Sequence, residues 1–313
     1  MKYQILNETD VKNLITIDIA LEAINECFIE KTQGGFSDYS KFDIQGINGP
    51  LRITAGESQS ISKVIGFRLY DLIRKDYSDQ EQVIVVYDNT AGRLKGIIVS
   101  QLLGAYRTAA INAIMHSKFK KQNVEVFGVV GIGFQSRIHV EMFYKLLKPK
   151  KIAFYARNKQ KAYDFQREMS KKINSEIEFI ESIEELYSLS DSLLLATNSR
   201  NPILKEQKIK KTVTITTIGP KLLGMSEVAT EFAEKCDLVI TDSIEQVKKY
   251  GKEFFIQQKP IYDYAHLLKA NKAKRRNEDN VILICSVGMG GTEVVLGNKL
   301  IEKKQELTQN KHR

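Results

Sequence analysis

Apolar residues recur at helical spacing in the segment TDVKNLITIDIALEAINECFIEKTQGG, where Ile17, Ala20, Leu21, Ile24 and Phe28 share a face. Asp18 lies near the start of that helix, and Gly34-Gly35 stop it. The pattern then shortens and becomes β-branched. LRITAGE, VIGFRLYDLI and EQVIVVYDN read as strands, and DNTAGRLKGIIVS as a hairpin turning at residues 89–92. A mixed or antiparallel sheet is expected here. Residues 100–119 return to helix.

From Val124 onward the chain alternates. VEVFGVV, KIAFYAR, IEFI, SLLLAT, TVTITTIG and LVITDS are near-continuous apolar and β-branched runs, as strands buried on both faces are. Helical stretches separate several of them, which predicts a doubly wound parallel sheet. NVILICSVGMGGTEVVLGNKLIEKK adds a strand, a glycine-rich turn and a last helix from about Thr292. The expected fold is therefore α/β, a Rossmann-type doubly wound parallel sheet at 121–291, plus a second α+β domain at 1–120. The last helix, about 292–313, is expected to pack back on that second domain.

Composition narrows the class. At 313 residues there is room for two cores, and 42% apolar with 27% charged residues is ordinary for a soluble globular chain. No apolar run approaches the roughly 20 residues of a membrane helix, so no membrane partner is expected. Cys27, Cys236 and Cys285 lie far apart with no nearby His, which points away from disulfides and metal sites and toward the reducing cytoplasm. The formal charge of +9 raises the question of nucleic acid. The basic runs KFKKQ, LKPKK, KIKK and KAKRR are scattered, however, and read as solvated surface, so no nucleic-acid partner is expected. His116, His139, His266 and His312 read as satisfied or solvated side chains.

The sharpest motif is VFGVVGIGFQSRIH. A strand ends at Gly131-Ile132-Gly133 and a helix begins, the arrangement that presents helix N–H groups to a pyrophosphate. Gly131 permits the turn and Gly133 the close approach; Ser136 stands where a third glycine is usual and is small enough to replace it. The next strand ends in FYARNKQKA, with Arg157, Asn158, Lys159 and Lys161 and no acid before Asp164. A carboxylate there would take ribose hydroxyls, whereas a guanidinium suits a 2′-phosphate. NADP(H) is favoured, with NAD(H) as the alternative.

The same stretch, with Phe134 and Gln135, resembles the GxGxQ(A/S) loop of the ornithine cyclodeaminase/mu-crystallin family. GAYRTAAINA is similar to its RTAA helix start, LLLATNSRNPIL to its aTxSxxPv segment, TTIGPKLLGMSEV to its xIGaxxPgkxEl segment, and ICSVGMGGTEV to its xxStGlAiqD close. The resemblance implies a homodimer, with a substrate and dimerisation domain built from both chain ends. It implies chemistry on a small amino or imino acid at a bound nicotinamide. Carried across by motif, Lys41 and Arg68 become candidate catalytic residues, and Arg52 and Arg107 candidate substrate-binding residues. Thr108, Thr197, Ile218, Gly219, Ser286 and Gly288 join the loop residues as candidate cofactor contacts; Asp242 and Glu293 match common family positions. Cyclodeaminases carry an Asp two residues after the glycine of IGaxxPgkxEl. Here that position is Lys221, which would repel the δ-amino group of ornithine. The resulting expectation is an NAD(P)H-dependent reductase or dehydrogenase acting at the CH–NH/C=N bond. A cyclodeaminase-type lyase with bound NAD, or a catalytically drifted nucleotide-binding protein, is the alternative.

Overall fold

Two patterns of apolar residues become two sheets. The computed structural model describes residues 3–73, 81–205, 209–275 and 281–310, so Lys208, Arg276 and His312 lie outside the described residues. The chain divides into two units, Met1–Ala110 with Gly288–Arg313, and Ile111–Val287.

The first unit opens with β1 (Gln4–Leu6), α1 (Glu8–Leu14) and α2 (Ile17–Gln33). The first helical segment is thus two helices. The Asn7 side chain caps α1 by accepting from Asp10 N, Ile15 is extended, and Thr16 caps α2 by accepting from Ile19 N. Gly34 ends α2 at φ 81°, a left-handed stop that favours glycine. Then come β2 (Phe36–Ile44), β3 (Leu51–Ser58), β4 (Val64–Asp71), β5 (Gln82–Asp88), β6 (Leu94–Val99) and α3 (Gln101–Phe119), within which the division between units falls. The strands form one six-stranded sheet in the order β1-β6-β5-β4-β3-β2. All pairs are antiparallel except β1 with β6.

Side-chain alternation splits this sheet into unlike faces. Leu6, Val64, Ile84, Val86 and Ile98 face inward and are wholly buried; the last helix, α10 (Thr292–Asn310), packs on β3 to β6 and on α2. The other face carries a registered row: Ile5, Ile97, Val85, Phe67, Ala55 and Tyr39. Phe42, Ile53, Leu69, Val83 and Val99 form a second row beside it. That face is apolar yet open, with Ile5, Tyr39 and Phe42 exposed by 61%, 51% and 58%.

The second unit runs β7 (Val126–Val130), α4 (Phe134–Leu147), β8 (Lys151–Tyr155), α5 (Lys159–Met169), β9 (Glu176–Phe179), α6 (Ile183–Leu189), β10 (Ser192–Leu195) and β11 (Val213–Thr217). A small hairpin follows, β12 (Lys221–Leu222) with β13 (Met225–Ser226), then α7 (Thr230–Lys235), β14 (Leu238–Thr241), α8 (Ile244–Tyr250), β15 (Ile261–Asp263), α9 (Tyr264–Lys269) and β16 (Val281–Cys285). Eight strands make a wholly parallel sheet, ordered β15-β14-β16-β11-β10-β7-β8-β9. Strand order reverses at β7, flanked by β8 and β10, and the C-terminal crevice at such a switch point is where open α/β sheets bind ligands. No helix among the described residues is long and apolar enough to cross a membrane.

Candidate active site

The glycine loop sits at that switch point. Gly131 follows β7 at φ 95°, and a Cβ there would stand 2.3 Å from the Ala196 carbonyl oxygen, so only glycine fits both the turn and the approach of β10. Gly133 is the N-cap of α4; it has no side-chain cap, and nothing lies within 4 Å of where its Cβ would be. The first-turn N–H groups of α4 therefore face open space, as an anionic group requires. Phe134 is 47% exposed beside them. The buried Gln135 Oε1 has no partner among the described residues. Ser136 is wholly buried and donates to the Gly131 carbonyl at 2.8 Å, so it packs like the absent glycine and also ties the turn. These residues fit a dinucleotide.

The other candidate cofactor residues of this unit follow strand ends at the same edge. Arg157, just beyond β8, is exposed and has no ion pair among the described residues. Lys159 is held by Glu181 at 2.8 Å, and Asn158 caps α5 by accepting from Lys161 N. Thr197 follows β10, Ile218 and Gly219 follow β11, and Ser286 follows β16. A buried carboxylate joins two of these ends. Glu227 Oε1 accepts from Thr197 N (2.6 Å) and Thr197 Oγ1 (2.7 Å), while Oε2 accepts from Thr217 Oγ1 (2.7 Å) and Gly219 N (2.8 Å). Nothing in the sequence singled out Glu227 beyond its place in the TTIGPKLLGMSEV segment. Lys221 is buried and donates to the Gly219 carbonyl at 2.7 Å. Burial pushes its pKa down, against Cys285, Glu227 and Asp242.

The first unit holds the cations. Glu293, in the first turn of α10 where a negative charge is favoured, is 1% exposed and takes both arginines on one oxygen. Arg68 Nη1 lies 2.7 Å and Arg107 Nη2 2.9 Å from its Oε1. Burial raises the Glu293 pKa, but Arg107 and then Arg68 outweigh it, so the carboxyl stays ionised below its ordinary range. Gly104 on α3 makes room for the group, since a Cβ there would stand 2.6 Å from Gln82 Oε1 and 3.3 Å from Arg68 Cζ. Gly288, at φ 84°, lies over it: Arg107 Nη1 and Lys41 Nζ come within 3.2 and 3.4 Å of its would-be Cβ.

The structure thus brings Lys41, Arg68, Arg107 and Gly288 together. Arg52 shares their sheet face but forks onto Asp43, with Nε and Nη2 at 2.7 and 2.8 Å from its two oxygens. The Thr108 hydroxyl donates to the Gly104 carbonyl at 2.8 Å. Two of the histidines are core residues: His116 meets Thr216 Oγ1 and His139 the Gln135 carbonyl, each at 2.8 Å. His266 is exposed.

With the loop and the cation cluster in place, comparison with known proteins decides the family. The model of the ornithine cyclodeaminase/mu-crystallin family matches residues 1–306. The chain belongs to that family. It is similar to a Δ1-pyrroline-2-carboxylate reductase of Bacillus cereus, 21% identical over 232 residues that cover 72% of this chain and 71% of the relative. Ketimine reductase mu-crystallin of Macropus fuliginosus is 23% identical over 253 residues, 80% and 78% of the two chains. Among solved structures, Thermococcus litoralis Δ1-pyrroline-2-carboxylate reductase in complex with NADH and L-proline superposes with a TM-score of 0.85 at 23% identity, covering 97% of this chain and 98% of that one. At that identity the likeness establishes the fold of this family member.

Proposed function

We propose that the chain is an NAD(P)H-dependent oxidoreductase acting at the CH–NH/C=N bond of a small amino or imino acid, of the ketimine-reductase or amino-acid-dehydrogenase type. The observation that carries this reading is the buried pairing of Arg68 and Arg107 on Glu293 with Lys41 alongside, in a chain that also builds an open glycine loop. The named activities of its relatives agree with it.

A reduced nicotinamide, when bound, would supply a hydride to an imine carbon. Residues 131–136 would hold its pyrophosphate at the start of α4, and Glu227 ties together the chain segments that follow β10 and β11. In the first unit, Arg68 and Arg107 hold the substrate carboxylate, with Arg52 as the outer member of the set. A guanidinium stays protonated, so neither arginine can give up a proton at neutral pH. Lys41, or a water it positions, would hold the proton that the imine nitrogen needs. On this reading the first unit serves as the substrate domain.

The exposed Arg157, with no acid beside it, supports NADP(H) over NAD(H). The open apolar face of the six-stranded sheet supports a homodimer, and three free, buried cysteines support a cytoplasmic site of action. The lyase alternative is disfavoured because the buried Lys221 stands where cyclodeaminases place a carboxylate, and a lysine cannot hold an amino group as an acid does.

The test is a fluorescence titration with NADPH and NADH, for the wild type and Arg157→Asp, followed by assays on cyclic imines and 2-oxo acids with amines. NADPH should bind tighter, and the substitution should weaken it about tenfold to hundredfold, the worth of a charge-assisted contact to phosphate. Equal affinities unaffected by Arg157→Asp would overturn the NADP(H) assignment. Ammonia released from ornithine by a protein with NAD tightly bound would overturn the reductase.

A further inference from the structure

The first turn of α4 ends in an arginine that reaches back over the loop before it. Arg137 Nη1 donates to the Ile132 carbonyl and, at 3.2 Å, to the Gly133 carbonyl. Its Nε donates to Glu168 on α5 at 2.8 Å, and its Cζ stands 5.4 Å from the centroid of the Phe165 ring. Glu168 is held in turn by Lys172 at 3.2 Å. The guanidinium is thus anchored on α5 while an outer nitrogen holds two loop carbonyls. A lysine, with one terminal nitrogen, cannot reproduce that fork.

Those carbonyls matter for what lies on the far side of their peptide planes. A trans peptide is planar, so its C=O and N–H point in opposite directions, and no peptide bond among the described residues is cis. The Ile132 carbonyl shares a plane with the Gly133 N–H, and the Gly133 carbonyl with the Phe134 N–H. Drawing both oxygens to Arg137 turns both hydrogens away from it. Gly133 precedes the helix and Phe134 begins it, so neither N–H has an acceptor within α4. The Gly133 carbonyl also accepts the first helical bond, from Arg137 N at 3.4 Å. The Ile132 carbonyl lies before the helix and has no such donor, so the side chain acts most on the Ile132–Gly133 peptide.

We infer that Arg137 is a positioning residue for the nucleotide: by holding the Ile132 and Gly133 carbonyls it presents the Gly133 and Phe134 N–H groups to the pyrophosphate. This rests on the reading of the glycine loop given above, and it assigns a residue that acts on the nucleotide through the backbone. A loop oriented in advance loses less freedom when its ligand arrives, so the arginine strengthens binding of any nucleotide that carries the pyrophosphate.

Arg137→Met removes the donors and keeps much of the stem; Arg137→Lys keeps the charge. Fluorescence titrations with NADPH and NADH are read beside thermal unfolding of the ligand-free proteins. Affinity for both nucleotides should fall about tenfold in Arg137→Met, with their ratio unchanged, and most of that loss should persist in Arg137→Lys. The ligand-free unfolding temperature should stay close to that of the wild type, because a half-exposed ion pair contributes little to stability. In amide NMR spectra the Gly133 proton should move downfield when nucleotide saturates the wild type, and much less when it saturates Arg137→Met. A merely structural arginine would leave that signal unchanged. Wild-type affinity in Arg137→Met would overturn the assignment, and full recovery in Arg137→Lys would reduce it to charge alone and so overturn it too. A lowered unfolding temperature with the Gly133 shift intact would do the same. A wild-type protein that binds neither nucleotide would instead overturn the reading of the loop itself.

Discussion

At the scale of single residues, Lys41 differs from its cationic neighbours in what it can give away. Arg68 and Arg107 hold charge permanently, whereas an ammonium can release a proton and be recharged. Lys41→Met should therefore lower kcat by roughly 10²–10⁴-fold, the usual contribution of a positioned acid, and change KM far less. Unchanged turnover would remove Lys41 from the mechanism. The sequence offered Lys41, Arg68 and Arg107 through short stretches that resemble family motifs, and the structure brings those three side chains together. Arg52 was legible as a position but not as a bond: its fork onto Asp43 depends on β2 lying beside β3 in that register. Glu227 was not legible, being an acid whose four bonds come from β10, β11 and the turn after it.

At the scale of elements, the turn from β7 to α4 tolerates little change. Gly131→Ala would put a methyl group against the Ala196 carbonyl and force an L side chain into a left-handed backbone. The strain alone is about 1–3 kcal/mol. Nucleotide affinity should fall at least tenfold in the titration described above. An unchanged dissociation constant would mean that the loop does not hold the nucleotide. The parallel strands, the β5–β6 hairpin and the Gly34 stop were readable because local composition agrees with final structure at each of them. β2 was missed because its alternation is broken by an irregularity between Tyr39 and Phe42. β1 and β15 are three-residue strands whose extended form is imposed by β6 and β14, which no local pattern announces. The break between α1 and α2 was hidden by apolar residues that continue through Leu14 and Ile15.

At the scale of the molecule, the unlike faces of the first sheet give association a direct test. The open rows through Val85 and Phe67 are too apolar and too continuous for an ordinary water-facing surface. A dimer should therefore be seen in sedimentation at micromolar concentration, and Val85→Lys should shift it toward monomer without unfolding the chain. A wild-type monomer under those conditions would overturn the homodimer.

The covered face of that sheet has a different consequence, one for descent rather than for assembly. Its apolar end must stay as it is for α10 and α2 to pack, so selection there acts on foldability alone. Its polar end is tied to α10 through the buried Arg68–Glu293 pair, so a change at either residue leaves the other charge short of a partner. Descent on this scaffold is therefore expected to change Arg68 and Glu293 together, while the strands that carry the face keep register and the helices above stay in place.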